Sequence, residues 1–283
     1  MTLPMTGLNA PKDMTAAVKR MRQNAMKRGR DAAMARVLLV RRGEFALVWP
    51  DKFNDEFPTA IVANFVDQAA RDMAASLSPL PSLRCSAGRM TTDADKRRAE
   101  RKNRIGYDYW LHSRLQTQMK YGADQYLTYG FLPFWVEADY EAKLPRIHVE
   151  DPVGAYYELN RDLECVRYAR EWYQDIYELA AQFPEYANRI LNNQYGRPYE
   201  SGSKVKVIRY IDDKTVTMYL PEREGLVIAG YQHGLGFCPV HIALRPGVEL
   251  DPRGQFDDVL WVQLAHTVMA ALTLEAGHKA VQA

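Results

Sequence analysis

Apolar and polar positions divide this chain into a helical first part, a β-rich middle and a long helical end. A helical pattern runs from Asp13 to about Arg42, is broken near Gly29 and is terminated by Gly43. Residues 1 to about 12, with Pro4, Gly7 and Pro11, are expected to form a flexible arm. Phe45, Leu47 and Val48 predict a strand into Pro50, and Asn54 to Pro58 signals a helix start. Ile61, Phe65, Ala69, Met73 and Leu77 then recur at helical spacing and read as core, until Pro79 and Pro81. Thr92 and Asp93 suit the start of a long helix reaching about Tyr121, with Gly122 as its stop.

Beyond Gly122 the period shortens. Strands are predicted at Tyr126 to Tyr129, Phe134 to Ala138 and Arg146 to Val149, and at Tyr156 to Leu159 and Glu164 to Tyr168 around the turn Asn160-Arg161-Asp162. Ile176 to Phe183 and Tyr186 to Leu191 read as helical around Pro184. A hairpin pairs Lys204 to Ile211 with Thr215 to Leu220 across Asp212-Asp213-Lys214, and Gly225 to Tyr231 and Val240 to Leu244 follow as strands. The fold class is therefore α+β: helices around a β-rich middle, ending in one long helix.

That last helix, within residues 251–283, has an unusually wide apolar arc. At about 100° per residue, Leu260, Ala271, Leu264, Val268, Trp261, Leu272, Ala265, Ala276, Met269 and Val262 cover more than half of its circumference, and Gln263, His266, Thr267 and Thr273 share the rest. Asp251 to Gly254 reads as the turn that starts it; Asp257 and Asp258 suit its N-terminal end and Lys279 its other end. Two uses of such an arc are open: the chain's own core, or neighbouring subunits. The subunit-contact residues expected in the second case are Leu260, Trp261, Leu264, Val268 and Leu272. The uncharged stretch from Val259 through Leu274 spans roughly 24 Å, short of a bilayer, so no membrane partner is expected.

Charge sharpens the picture locally. The formal net charge is only +2, yet the first forty-odd residues hold Lys12, Lys19, Arg20, Arg22, Lys27, Arg28, Arg30, Arg36, Arg41 and Arg42 against Asp13 and Asp31. A second cluster contains Arg89, Lys96, Arg97, Arg98, Arg101, Lys102 and Arg104, whereas Glu137 to Glu185 is mainly acidic. Such asymmetry suits docking onto anionic surfaces or charge-complementary neighbours, and equally a solvated helix face. Lys96, Arg97, Arg98, Arg101 and Lys102 are the candidates for contact with an anionic partner, an acidic protein surface or DNA. Tyr107, Tyr109 and Trp110 follow these cations instead of alternating with them, so they are expected to pack inward.

Catalytic signals are absent from the sequence. There is no Gly-x-x-x-x-Gly-Lys-Ser/Thr phosphate loop, and Gly234-Leu235-Gly236 lacks the third glycine of a dinucleotide fingerprint. The three cysteines, Cys85, Cys165 and Cys238, are far apart and odd in number, which predicts neither a disulfide framework nor a metal site and points to a reducing compartment. Cys238 and His241 lie three apart, but the apolar alternation around them favours a strand with one inward cysteine over a nucleophile, a base or zinc ligands. No secretory signal peptide is legible, since Val37 to Val40 is too short an apolar core. No enzyme activity, cofactor or metal is expected.

Several stretches taken in order resemble the portal proteins of tailed bacteriophages, in particular the branch found in siphophages of actinobacteria. They are Trp49-Pro50, Phe57-Pro58, Ile61 to Asp67, Ala70 to Asp72, Pro79 to Cys85, Gly130-Phe131, Asp151 to Tyr157, Asn160 to Asp162, Leu179 to Glu185, Leu235 to Val240 and Arg253 to Asp258. The resemblance implies a portal-type wing over residues 45–250 and a first stem helix over 251–283, after a basic N-terminal arm or helix over 1–44. Clip, second stem helix and crown are expected beyond this sequence. It further implies a structural subunit of a twelve-membered ring at one capsid vertex of the virion, assembled in the host cytoplasm and conducting DNA during packaging and ejection. The partners implied are copies of itself, the major capsid protein, the terminase large subunit that supplies ATPase activity, a head–tail adaptor and double-stranded DNA. The alternative is a free-standing nucleic-acid-binding protein using the basic N-terminal helix. A hydrolase built on Cys238 and His241 is a third, weaker reading.

Overall fold

The computed structural model describes residues 6–48, 63–80, 84–86, 92–139, 141–192, 202–246 and 252–282. Trp49-Pro50, the helix start at 54–58, Ile61, part of the Pro79 to Cys85 stretch, Arg89 and Asp251 lie outside them. The chain is α+β, with two antiparallel sheets and a long C-terminal helix. It divides into two compact units, Met1–Arg28 with Val153–Ile242, and Gly29–Pro152 with Ala243–Ala283.

The first unit is built on strands β3 (Ala155–Leu159), β4 (Cys165–Asp175), β5 (Lys204–Ile211), β6 (Thr215–Leu220) and β7 (Leu226–Gln232), hydrogen-bonded in that order and antiparallel throughout. Both faces of this sheet are buried. Helix α1 (Lys12–Lys27) places Met14, Ala17, Val18, Met21 and Ala25 along one stripe, which packs with Ile208, Tyr210, Tyr219 and Val227. On the other face, Ile176 and Leu179 of α6 (Ile176–Gln182) and Ile190 of α7 (Ala187–Leu191) pack with Val205, Val207, Leu220 and Ile228. Val205/Val207 and Ile208/Tyr210 thus serve opposite layers, which explains why β5 reads as nearly continuous apolar sequence.

The expected N-terminal arm is pinned over residues 7–10. Gly7 N–H donates to the Val227 carbonyl (2.9 Å), Val227 N–H to Leu8 (2.9 Å) and Ala10 N–H to Gly225 (2.7 Å). The edge of β7 would otherwise leave these groups unpaired.

In the second unit, α2 (Arg30–Arg42), α3 (Phe65–Leu77), α5 (Leu115–Tyr129) and the start of α8 (Leu260–Gln282) enclose a core of Val37, Val40, Val66, Ala70, Ala74, Leu127, Phe256, Leu260 and Leu264. Gly29 and Gly43 break the chain as expected, both in the left-handed region, with φ of 68° and 79°. Phe45–Leu47 is a 3-10 turn where a strand was expected; Phe45 turns into the core while Leu47 remains exposed. In α3 the buried stripe is Val66, Ala70 and Ala74, so Phe65, Ala69, Met73 and Leu77, expected to be core, are exposed. The face is selected by small residues: Ala70 and Ala74 let this helix approach its neighbours closely, which Phe65 and Met73 would prevent. Asn64 fixes the junction, its Oδ1 accepting from Asp67 N–H (3.0 Å) and its Nδ2 donating to the Val40 (2.7 Å) and Arg41 (3.1 Å) carbonyls. One side chain thereby caps the start of α3 and the end of α2.

The helix expected from Thr92 to Tyr121 is two helices, α4 (Asp93–His112) and α5. Arg114, with φ of 50°, turns the chain between them. Ser113 and Gln118 hold this turn against β2 (Leu144–Val149), an edge strand of the second sheet, ordered β2, β1 (Phe131–Asp139), β8 (Val240–Leu244). Ser113 Oγ accepts from Ile147 N–H (2.8 Å), Gln118 Oε1 from Val149 N–H (2.7 Å), and Gln118 Nε2 donates to Ile147 O (3.0 Å). Edge-strand groups are thus satisfied by side chains.

Gly122 does not stop a helix. A Cβ there would lie 2.9 Å from Val149 Cγ1, so glycine permits close helix–strand packing. The helix continues through Tyr126 to Tyr129, expected as strand, and ends at Gly130, whose φ is 78°. Gly130 and Gly254 are needed together: a Cβ on either would overlap backbone, at Arg253 and Thr128 respectively. Gln255 N–H donates to Leu127 O (2.7 Å) across this contact, which seats the turn leading into α8.

Candidate interaction surfaces

Helix α8 has 23 residues and is about 35 Å long. Its first turns are anchored by Leu260, Gln263, Leu264 and Thr267, all buried, with Val268 packed against the same core. Two of these, Gln263 and Thr267, are polar residues from outside the apolar arc. Gln263 Nε2 donates to the Ala63 carbonyl (3.1 Å) and lies 3.4 Å from Thr267 Oγ1, which donates to Gln263 O (2.9 Å). The pair is affordable inside because these polar groups have partners.

Anchoring this arc presents the opposite one. Trp261 (53 % exposed), Val262, Ala265, Met269 (67 % exposed), Leu272 and Ala276 follow one another over about 100° of helix surface, all exposed. Of the five expected subunit-contact residues, Leu260 and Leu264 are therefore core residues of this chain, Val268 is partly buried, and Trp261 and Leu272 are available. Val262 and Met269, outside the expected set, belong to the same exposed surface. Trp261 carries the Arg36 guanidinium 5.7 Å above its ring, and His266 meets Phe65 edge-on at 5.3 Å. From Leu272 to Val281 every residue is exposed.

Helix α4 exposes a different chemistry. Thr92 and Asp95 close a capping box, with Thr92 Oγ1 accepting from Asp95 N–H (3.3 Å) and Asp95 Oδ2 accepting from Thr92 N–H (3.3 Å). Hydrogen bonds from the Thr92 side chain and then its backbone hold the Asp95 carboxyl below its ordinary pKa. No residue of α4 is buried. Lys96 pairs with Asp93 (3.4 Å) and Arg98 with Asp95 (3.8 Å), whereas Arg97, Arg101 and Lys102 make no ion pair with the described residues. Arg97, Arg101 and Arg104 stand at i, i+4 and i+7, one basic stripe. Of the three aromatics expected to pack inward, Tyr109 and Trp110 are half-buried, whereas Tyr107 is exposed and meets Trp110 edge-on at 5.5 Å.

Much of the N-terminal basic charge is engaged within the chain. Arg20 pairs with Glu158 (2.9 Å), which also takes Arg167 (3.0 Å). Arg41 is nearly buried: its guanidinium reaches Asp67 (3.0 Å), Asp124 (2.8 Å) and Thr128 Oγ1 (2.6 Å). Burial opposes its charge, but the Asp124 and Asp67 carboxylates outweigh burial and raise its pKa. Arg30 is buried beside Asp31 (3.4 Å) and lies over the Phe131 ring at 5.3 Å.

Cys238 is buried, whereas His241, three residues on, is exposed. Among the described residues no group of three or more His, Cys, Asp or Glu could hold a metal ion, and no helix is long and apolar enough to cross a membrane. The structure does bring Cys165 and Cys238 together, their sulfurs 3.9 Å apart. No sequence spacing indicated that pairing. No protein-family model matches the chain, and comparison with curated proteins finds no match.

Proposed function

We propose that this chain is a structural subunit of a portal-type ring, contributing the wing and the first stem helix, with the ring at a virion vertex serving as the conduit for double-stranded DNA. In this reading terminase, the head–tail adaptor and the major capsid protein dock on the ring, and the packaging energy comes from the terminase. The ordered motifs from Trp49 to Asp258 support the portal assignment. The observation that carries assembly is the second apolar arc of α8, exposed opposite an arc already buried. A helix face of this composition is stabilised by removing it from water, and a ring of identical copies does so with one repeated contact.

Light scattering on the chain tests the reading. Self-association that rises with concentration is expected, and it should be lost in Trp261→Glu/Met269→Glu while the thermal midpoint stays near that of the parent. A parent chain that remains monomeric at every concentration would overturn assembly through α8. Substituting Leu264 and Val268 would not test the contact, because Leu264 holds the chain's own core.

The stripe Arg97, Arg101 and Arg104 favours a second reading, direct nucleic-acid binding, now centred on α4 instead of the N-terminal helix. Affinity for duplex DNA would then fall steeply with salt, and each lost phosphate contact would reduce the log–log slope by about one. Contact with an acidic capsid or wing surface predicts no such DNA slope but a capsid-incorporation defect in Arg97→Glu/Arg98→Glu/Arg101→Glu. We favour the protein contact.

A further inference from the structure

The sheet unit contains two thiols that no function above uses. Cys165 opens β4, and Cys238 lies two residues before β8 and 73 positions further along the chain. Both are buried. Besides the neighbouring sulfur at 3.9 Å, the Cys165 thiol donates to the Arg167 carbonyl (3.3 Å) and the Cys238 thiol faces the Ile211 carbonyl (3.8 Å). Two thiols without further ligands do not complete a structural zinc site, which needs four. Cys165 is not the first nucleophile of the pair, since the adjacent Cys238 thiol and then burial push its pKa far up while both thiols are in place. The reaction open to such a pair is two-electron oxidation to a disulfide.

Bond formation needs the sulfurs to approach from 3.9 Å to about 2.05 Å, and the surroundings show which side can move. Cys165 is held in the β3–β4 ladder opposite Leu159. Cys238 follows a segment outside the strands, where Gly234 and Gly236 adopt φ of 64° and 76° and an added Cβ would meet nothing within 4 Å. Leu235 and Phe237 in that segment are exposed.

We propose that Cys165 and Cys238 form a latent disulfide, closed by a small peroxide when the chain leaves a reducing compartment, which clamps the 233–239 segment to the sheet. Opening of the segment exposes Cys238; its thiolate attacks a peroxide oxygen, the O–O bond breaks, and a sulfenic acid and hydroxide form. Cys165 then attacks the sulfenic sulfur; the S–S bond forms, the S–O bond breaks, and hydroxide leaves as water with the remaining thiol proton. Overall two thiols and one hydrogen peroxide give one disulfide and two waters, both electrons passing from sulfur to peroxide. This proposal does not depend on the portal reading.

The test uses the reduced full chain carrying Cys85→Ala, a change that leaves intact the backbone contacts of residue 85 with Asn103. Stepwise hydrogen peroxide, alkylation and peptide mass mapping should show both thiols disappearing together, a mass loss of about 2 Da, and a linked 165–238 peptide pair reversed by dithiothreitol. The thermal midpoint should rise by about 5 °C or more on closure, because a long loop is removed from the unfolded ensemble. In Cys165→Ala the rise should be absent and a dimedone-reactive sulfenic acid should persist at Cys238. Retention of both alkylatable thiols in the folded protein, or their separate conversion to sulfinic acids without a link, would overturn the proposal. The mapping of the Cys85→Ala chain decides this even if Cys165→Ala folds poorly.

Discussion

Helices α4 and α8 are both at least 20 residues long and both leave most of their surface outside the chain's core, yet they do so in opposite ways. Helix α4 is sufficient by itself at its start: a capping box, acidic residues in the first turn and two i,i+3 ion pairs meet the needs of a solvated helix. Helix α8 is anchored by two buried turns and then presents apolar surface with little charge. Water suits the first arrangement and opposes the second. An exposed helix is thus a candidate docking element when its composition contradicts its surroundings; exposure alone does not make it one.

The largest effect should separate the two arcs of α8. Leu264→Asp buries an unpaired charge in the core and is expected to destabilise the chain by about 4 kcal/mol, whereas Met269→Asp on the exposed arc should shift stability by no more than about 0.5 kcal/mol. Denaturant unfolding of the two variants under dilute conditions measures this, and similar losses would erase the distinction between anchored and presented faces.

Next in size is the polar anchor. Gln263→Leu leaves the Ala63 carbonyl without its donor and should cost about 1–2 kcal/mol despite the added apolar surface. A stabilised variant would show that the glutamine is incidental to how α8 is seated.

For α4 the corresponding change is Thr92→Ala, which removes the capping hydroxyl. A loss of about 1 kcal/mol is expected, confined to the first turn and visible as faster amide exchange there, with α8 unaffected. A global loss of stability would mean that α4 is not the independent element described.

The smallest effect is one of pH. The folded pKa of Asp95 lies below its ordinary value of 3.8, so its contribution is complete above 3.8 and is lost as pH falls through the folded pKa. Amide protection in the first turn of α4 should decline in acid below that value, and Thr92→Ala should flatten the dependence. An unchanged acid profile in Thr92→Ala would assign the shift to some group other than the cap.

Local signals in the sequence determined the elements whose cause is local. Gly29 and Gly43 break helices because the left-handed conformation favours glycine, Asn160-Arg161-Asp162 turns one hairpin and Asp212-Asp213-Lys214 another, and the β5–β6 boundaries follow from alternation bounded by turn residues. Tertiary structure alone decided matters of phase and proximity. Periodicity showed that α3 and α8 are helices, but several phases satisfy such patterns. Ala70 and Ala74 win over Phe65 and Met73 because their small size permits close packing, and Gln263 and Thr267 are buried because a carbonyl at Ala63 and each other supply hydrogen bonds. Gly122 and Gly130 have the same composition and different reasons: one admits the Val149 side chain, the other a backbone from 123 residues away. The Arg41 network and the Cys165–Cys238 pair were invisible for a related reason, since each joins residues that only the folded path of the chain brings into contact.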